Sequence, residues 1–239
     1  ITKISFDNVI KKIKSLGYQS SNELGNHILK VQTEFEDPKT GEIKLSSIRS
    51  EIHGISNIQD YCRTNSIQKI IENNPHKTVA TFVSKIFARD DKDLTIFPIK
   101  NNDYNLKISY QKESQLPIQS KIIQKIIDKW SDSKKYFRYM NRLTFIHNDY
   151  PIKIELSIIK SSNIDKNYDP ILEYNFEDSN ILNNPEIYEI EIELMNDMVG
   201  PDKLFYDANK VEQLIKKAIT HVLSGLQGTN YPVSYNEQK

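Results

Sequence analysis

From Tyr188 to Met195 the chain reads Tyr-Glu-Ile-Glu-Ile-Glu-Leu-Met, a strict alternation of charged and apolar residues. A period of two is the signature of a β-strand, whose successive side chains point to opposite faces. Glu189, Glu191 and Glu193 therefore share one face, and Ile190, Ile192 and Leu194 the other. Adjacent carboxylates on that face stand about 7 Å apart, close enough to repel and to require a positive partner. A hard divalent cation with oxygen ligands would serve. Water would serve as well, because a half-exposed strand with solvated glutamates shows the same pattern.

The two-faced pattern recurs along the chain. Residues 136–146 place Arg138, Met140, Arg142 and Thr144 on one face. Residues 151–160 place Lys153, Glu155 and Ser157 opposite Ile154, Leu156 and Ile158. Arg49 and Glu51 share a face of residues 42–53, which pair with 27–36 around the turn Asp37-Pro38-Lys39-Thr40-Gly41. Lys107, Ser109 and Gln111 share a face of an expected strand over 104–112, and 78–88 is expected to pair with 93–99. Helices are expected over 6–16, 57–73, 118–130 and 207–223, the last capped by Asp207. Many strands and few helices imply an α+β fold, an antiparallel sheet or closed β-barrel flanked by helices. With the apolar faces turned outward under the helices, the charges would line a tunnel. Rows of Arg and Lys facing a row of Glu suit a complex of polyphosphate and metal.

Composition fits such internal cancellation. Lys plus Arg and Asp plus Glu are equal, at 32 each, so a broad basic surface for gripping long nucleic acid is not expected. The single cysteine, Cys62, excludes an intrachain disulfide. No apolar run approaches the roughly 20 residues that span a bilayer. The sequence contains no phosphate-cradling G-x-x-x-x-G-K-[ST] loop, and its histidines show no metal-ligand spacing.

The segments EFEDPKTGEIKLSSIRSEIHG, FRYMNRLTF, YPIKIELSIIKSS and YEIEIELM occur in that order, followed by HVLSGLQGTNYPVSY. Together they resemble the metal-dependent RNA triphosphatases of capping enzymes in large DNA viruses and fungi, members of the triphosphate tunnel metalloenzymes. The resemblance implies an eight-stranded antiparallel β-barrel that hydrolyses the γ-phosphate from the 5′-triphosphate end of nascent mRNA. It implies Mg²⁺ or Mn²⁺ on Glu191 and Glu193, assisted by Glu189. Arg49, Lys107, Arg138, Arg142 and Lys153 would grip phosphate oxygens, with Glu155 orienting one of them; Glu113 is a further candidate for orienting water. Residues 1–224 would form the triphosphatase domain and 225–239 a linker towards a guanylyltransferase domain. The implied setting is a virion or a cytoplasmic viral factory, with no membrane or DNA partner.

Two departures from the family pattern stand out. Met140 occupies a position between two arginines where the family often has lysine. The second Glu-x-Glu that would complete the metal site has no clear copy; Thr33-Glu34-Phe35-Glu36 has the spacing but falls in the first hairpin. The missing strand is expected in residues ahead of Ile1. A tunnel enzyme acting on free nucleotides, polyphosphate or thiamine triphosphate, and a non-catalytic phosphate-binding tunnel, are the competing readings.

Overall fold

The computed structural model describes residues 1–74, 77–205 and 207–238. His76, one of the histidines weighed above, lies outside the described residues. The fold is α+β and antiparallel. Its strands are β1 (Gln19–Ser20), β2 (Asn26–Glu36), β3 (Ile43–His53), β4 (Ala80–Phe87), β5 (Ile99–Asn101), β6 (Leu106–Ile108), β7 (Gln111–Leu116), β8 (Lys135–Ile146), β9 (Ile152–Ser161) and β10 (Ile187–Leu194). Helices are α1 (Lys3–Ser15), α2 (Ile55–Thr64), α3 (Ile67–Glu72), α4 (Lys121–Asp128) and α5 (Ala208–Gln227). The main sheet has eight strands in the order β10-β9-β8-β2-β3-β4-β7, with the short β1 added to β8. Glu113 of β7 and the glutamates of β10, from opposite ends of this ladder, line one cavity, so the sheet is curled into a half-barrel. Among the described residues the outer edges of β7 and β10 are not paired with each other.

Alternation decides what lies on each side. On the convex face, Leu29, Val31, Ile52, Phe82 and Phe137 pack under α2, α3 and α4 with Tyr61, Ile67, Ile70, Ile123 and Trp130. Phe145, Ile152, Ile154 and Leu156 pack under α1 and α5 with Phe6, Val9, Ile13, Ala218 and Val222. Each fully buried aliphatic or aromatic side chain contributes about 1.5–3 kcal/mol, so these two helical layers hold the sheet in its curl. The α1–α5 contact is close enough to require glycine. A Cβ on Gly225 would stand 2.9 Å from the Cα of Val9.

Four expectations about the elements change. The helix over 57–73 is two helices, because Asn65 takes a left-handed conformation (φ 50°) and Ser66 recaps the chain by accepting from the Lys69 N–H. The expected strand over 104–112 divides into β6 and β7; β4 pairs with β7, and the expected pairing of 78–88 with 93–99 shrinks to an antiparallel bridge between Arg89 and Thr95, beside an Ile96 N–H that donates to the Ala88 carbonyl at 2.9 Å. Residues 99–108 form a separate β5–β6 hairpin instead. The strand 104–112 therefore gives Lys107, Ser109 and Gln111 no common face: Lys107 is on β6 and Gln111 on β7. Finally, α5 runs on to Gln227, taking residues 225–227 from the expected linker. No helix among the described residues is long and apolar enough to cross a membrane.

Candidate metal-phosphate site

Register builds the site across the concave face. Glu191 stands opposite Glu155, Glu193 opposite Lys153 and Glu189 opposite Ser157. On the other side of β9, Arg142 also stands opposite Ser157, and its Nε donates to the Ser157 hydroxyl at 3.2 Å. Ser157 is small, which lets Arg142 reach over β9 to Glu191 on the strand beyond, at 2.8 Å. Arg138 reaches Glu189 in the same way. Lys153 bridges Glu155 at 2.8 Å and Glu193 at 2.9 Å. The cavity so formed has a volume of about 260 Å³ and is lined almost wholly by charge.

Of the residues expected at the site, Arg49, Arg138, Arg142, Lys153, Glu189, Glu191 and Glu193 line this cavity, as does Glu113. Glu155 ion-pairs with two of these lining cations. Lys107 is exposed on the β5–β6 hairpin and does not line it. Two cations that sequence reading did not single out are present, Lys30 and Lys85. Lys30 ion-pairs with Glu51 at 3.4 Å and Lys85 with Glu113 at 2.9 Å. Their signal was there: Ile28, Lys30 and Gln32 alternate with Leu29 and Val31 along β2. Met140 has a packing reason. Its partners in register are Ile28 and Ile159, and the three form a small apolar floor between the arginines.

The electrostatics are those of partly dried charges in mutual contact. Burial would raise the Glu51 carboxyl, but Lys30 and Arg49 outweigh it and hold Glu51 below its ordinary value. Glu113 is likewise held low against burial by Lys85 and Arg49. Burial pushes Lys30 down, and Arg49 and Arg142 add to this against Glu51. Hydrogen bonds to Glu155 and Glu193 overcome burial and raise Lys153. Burial keeps His53, 4.0 Å from the Glu51 carboxylate, below its ordinary value.

The depressed carboxyls of Glu51 and Glu113 fix an acid limb. A group with a lowered folded pKa stabilises the fold above its unfolded value and loses that contribution as pH falls through the folded value. Stability should therefore decline from the ordinary glutamate value of 4.5 downward. Urea midpoints at pH 6 and pH 3 should drop less in Glu51→Gln than in wild type. An equal drop would remove Glu51 from the cause.

Three carboxylates meet at the centre. Glu155, Glu191 and Glu193 each present an oxygen within 4.8 Å of the others. Glu155 is 4% exposed. Its Oε2 lies 2.6 Å from Arg142 Nη1, but off the angle of a hydrogen bond, so this buried oxygen carries none. A buried acceptor left without a hydrogen bond is costly unless something else meets it. An all-oxygen donor set with one such atom fits a hard divalent cation. Glu155 thereby joins the expected pair of Glu191 and Glu193.

No family model matches the sequence, and no curated protein matches it. Among solved structures the chain is similar to the RNA triphosphatase Pct1 of S. pombe. Identity is 14%, covering 95% of this chain and 67% of that one, with a TM-score of 0.40. So distant a likeness says nothing of what this chain binds. The chemistry rests on the residues of the cavity.

Proposed function

We propose that the chain is a metal-dependent phosphohydrolase that removes the γ-phosphate from the 5′-triphosphate end of nascent mRNA. The observation that carries this is the meeting, at one cavity, of a three-carboxylate cluster, of which Glu191 and Glu193 line it, with cations from β2, β3, β4, β8 and β9. Phosphoryl transfer asks little covalent chemistry of a protein; it asks for positioning and for neutralisation of charge on phosphate oxygens. Arg49, Arg138 and Arg142 can present forked donors to those oxygens, and Lys30, Lys85 and Lys153 point charges. Glu155, Glu191 and Glu193 would hold Mg²⁺ or Mn²⁺, which supplies charge neutralisation at the phosphate. Glu113, on the cavity wall, would orient water.

The order of the sequence segments supports the RNA end as the substrate. The tail after Leu223 supports a guanylyltransferase domain downstream, as in a viral capping enzyme working in a virion or cytoplasmic factory. The test is phosphate release from triphosphate-ended RNA by the full-length protein. Release that needs Mg²⁺ or Mn²⁺ and stops with EDTA is the expected result. Release from free nucleotides or tripolyphosphate but not from RNA would move the assignment to the related tunnel phosphohydrolases. No release from any of them would leave a phosphate-binding module.

A further inference from the structure

A second cavity, of about 660 Å³, opens beside the ionic one and shares Glu51 and Arg142 with it. That volume is within the range of small-molecule sites, about 300–1,000 Å³. Its character is different. Leu24, Ile28 and Ile55 line it together with His53 and the amides of Asn22 and Asn26. The ionic cavity has charge with only Met140 and the Tyr136 ring beside it as apolar wall; this one has more apolar surface, two imidazoles (His27 and His53) and neutral hydrogen-bonding groups.

The rim is built, not loose. Leu24 is 85% exposed, yet its backbone is held on both sides. Its N–H donates to Asn22 Oδ1 at 3.0 Å, and Asn22 Nδ2 donates to the Gly25 carbonyl at 2.9 Å. Gly25 sits at φ 78°, so close to Asn141 that a Cβ would stand 2.0 Å from its side-chain oxygen. Across the mouth, Ile55 opens α2 directly after Gly54 (φ 87°) and is 49% exposed. Two fixed apolar side chains thus face water at the entrance to a cavity of charges.

We propose that this vestibule seats the first nucleoside of the triphosphate-bearing substrate, with the triphosphate leading past Arg142 into the ionic cavity. The inference rests on the phosphohydrolase reading of that cavity. A base has two apolar faces and a polar edge, so it can lie against Leu24 and Ile55 while its edge meets the Asn26 amide. His53, held neutral by burial, offers a further donor and acceptor at the junction. The opposite end of the cavity differs. There β4 runs on past Arg49 to Lys85, and the chain continues through the exposed Phe97 into the β5–β6 hairpin, where Ile108 is exposed.

The test compares a substrate that carries a nucleoside on its triphosphate with one that carries none. Phosphate release with Mn²⁺ is measured on triphosphate-ended RNA and on inorganic tripolyphosphate. The proteins are wild type, the double variant Leu24→Ala/Ile55→Ala, and Phe97→Ala at the other end. All three side chains are exposed, so folding is not at issue. The expected result is a KM for the RNA raised roughly tenfold in the double variant, as for loss of apolar contacts to a base. Its kcat and its KM for tripolyphosphate should not move, and Phe97→Ala should match wild type. Equal changes for both substrates, no change, or a change confined to Phe97→Ala would each overturn the vestibule while leaving the ionic site standing. Release from neither substrate by wild type would take down both readings.

Discussion

Glu193→Ala is expected to lower phosphate release from triphosphate-ended RNA by about a hundredfold or more, while the protein stays folded. Glu193 is one of three oxygens that converge at the candidate metal position. Its side chain is 40% exposed and its ion-pair partner is Lys153, at 2.9 Å. Lys153 keeps Glu155 as a partner at 2.8 Å when Glu193 is gone. A partly exposed pair contributes no more than about 1 kcal/mol, so the urea midpoint should barely move. Loss of activity with retained stability would separate a ligand from a structural glutamate. Full activity in Glu193→Ala would remove this row from the chemistry.

Arg142→Ala should do the reverse in kind, acting on the fold first. The guanidinium touches Glu155 at 2.6 Å, Glu191 at 2.8 Å and the Ser157 hydroxyl. The Arg142 side chain is 16% exposed and that of Glu155 only 5%. Removing Arg142 leaves the buried Glu155 with Lys153 as its one cation, at 2.8 Å, so the cost is about 3 kcal/mol, the low end for breaking a buried pair. Equilibrium unfolding in urea reads this directly. Added Mn²⁺ should recover more stability in the variant than in wild type, because three carboxylates would then face the ion with one cation fewer. If Mn²⁺ stabilised both proteins equally, the carboxylate cluster would not be its binding site.

What was legible in the sequence was local. The alternation of β8, β9 and β10 is a property of eight to twelve consecutive residues, so it placed Arg138, Arg142, Lys153 and the three glutamates on one face correctly. Asp207 was readable as a cap for the same reason, and its side chain accepts from the Asn209 and Lys210 N–H groups. Glu155 is legible as a charge on the β9 face, but its place among the three converging carboxylates depends on standing opposite Glu191. That register is set across a long connection and cannot be seen in either strand. Lys107 shows the opposite failure. A run that looked like one strand is broken by a change of pairing partner, which sends β6 to β5 and β7 to β4. Lys30 was overlooked because the first hairpin was read for Arg49 and Glu51 on its second strand. Its own strand alternates equally well.

The ionic cavity leaves none of its cations idle. Lys30, Arg49, Lys85, Arg138, Arg142 and Lys153 each have a carboxylate oxygen within 3.4 Å. A polyphosphate arriving alone would find its donors engaged, and a divalent ion alone would meet carboxylates already neutralised. Arriving together they allow an exchange of partners, with phosphate taking the cations and the ion taking the glutamates. On the proposed reading, the closed set of pairs makes the site a coincidence gate. Each ligand raises the affinity for the other by the same factor, as linkage requires, and stray anions or metal ions gain little by entering singly.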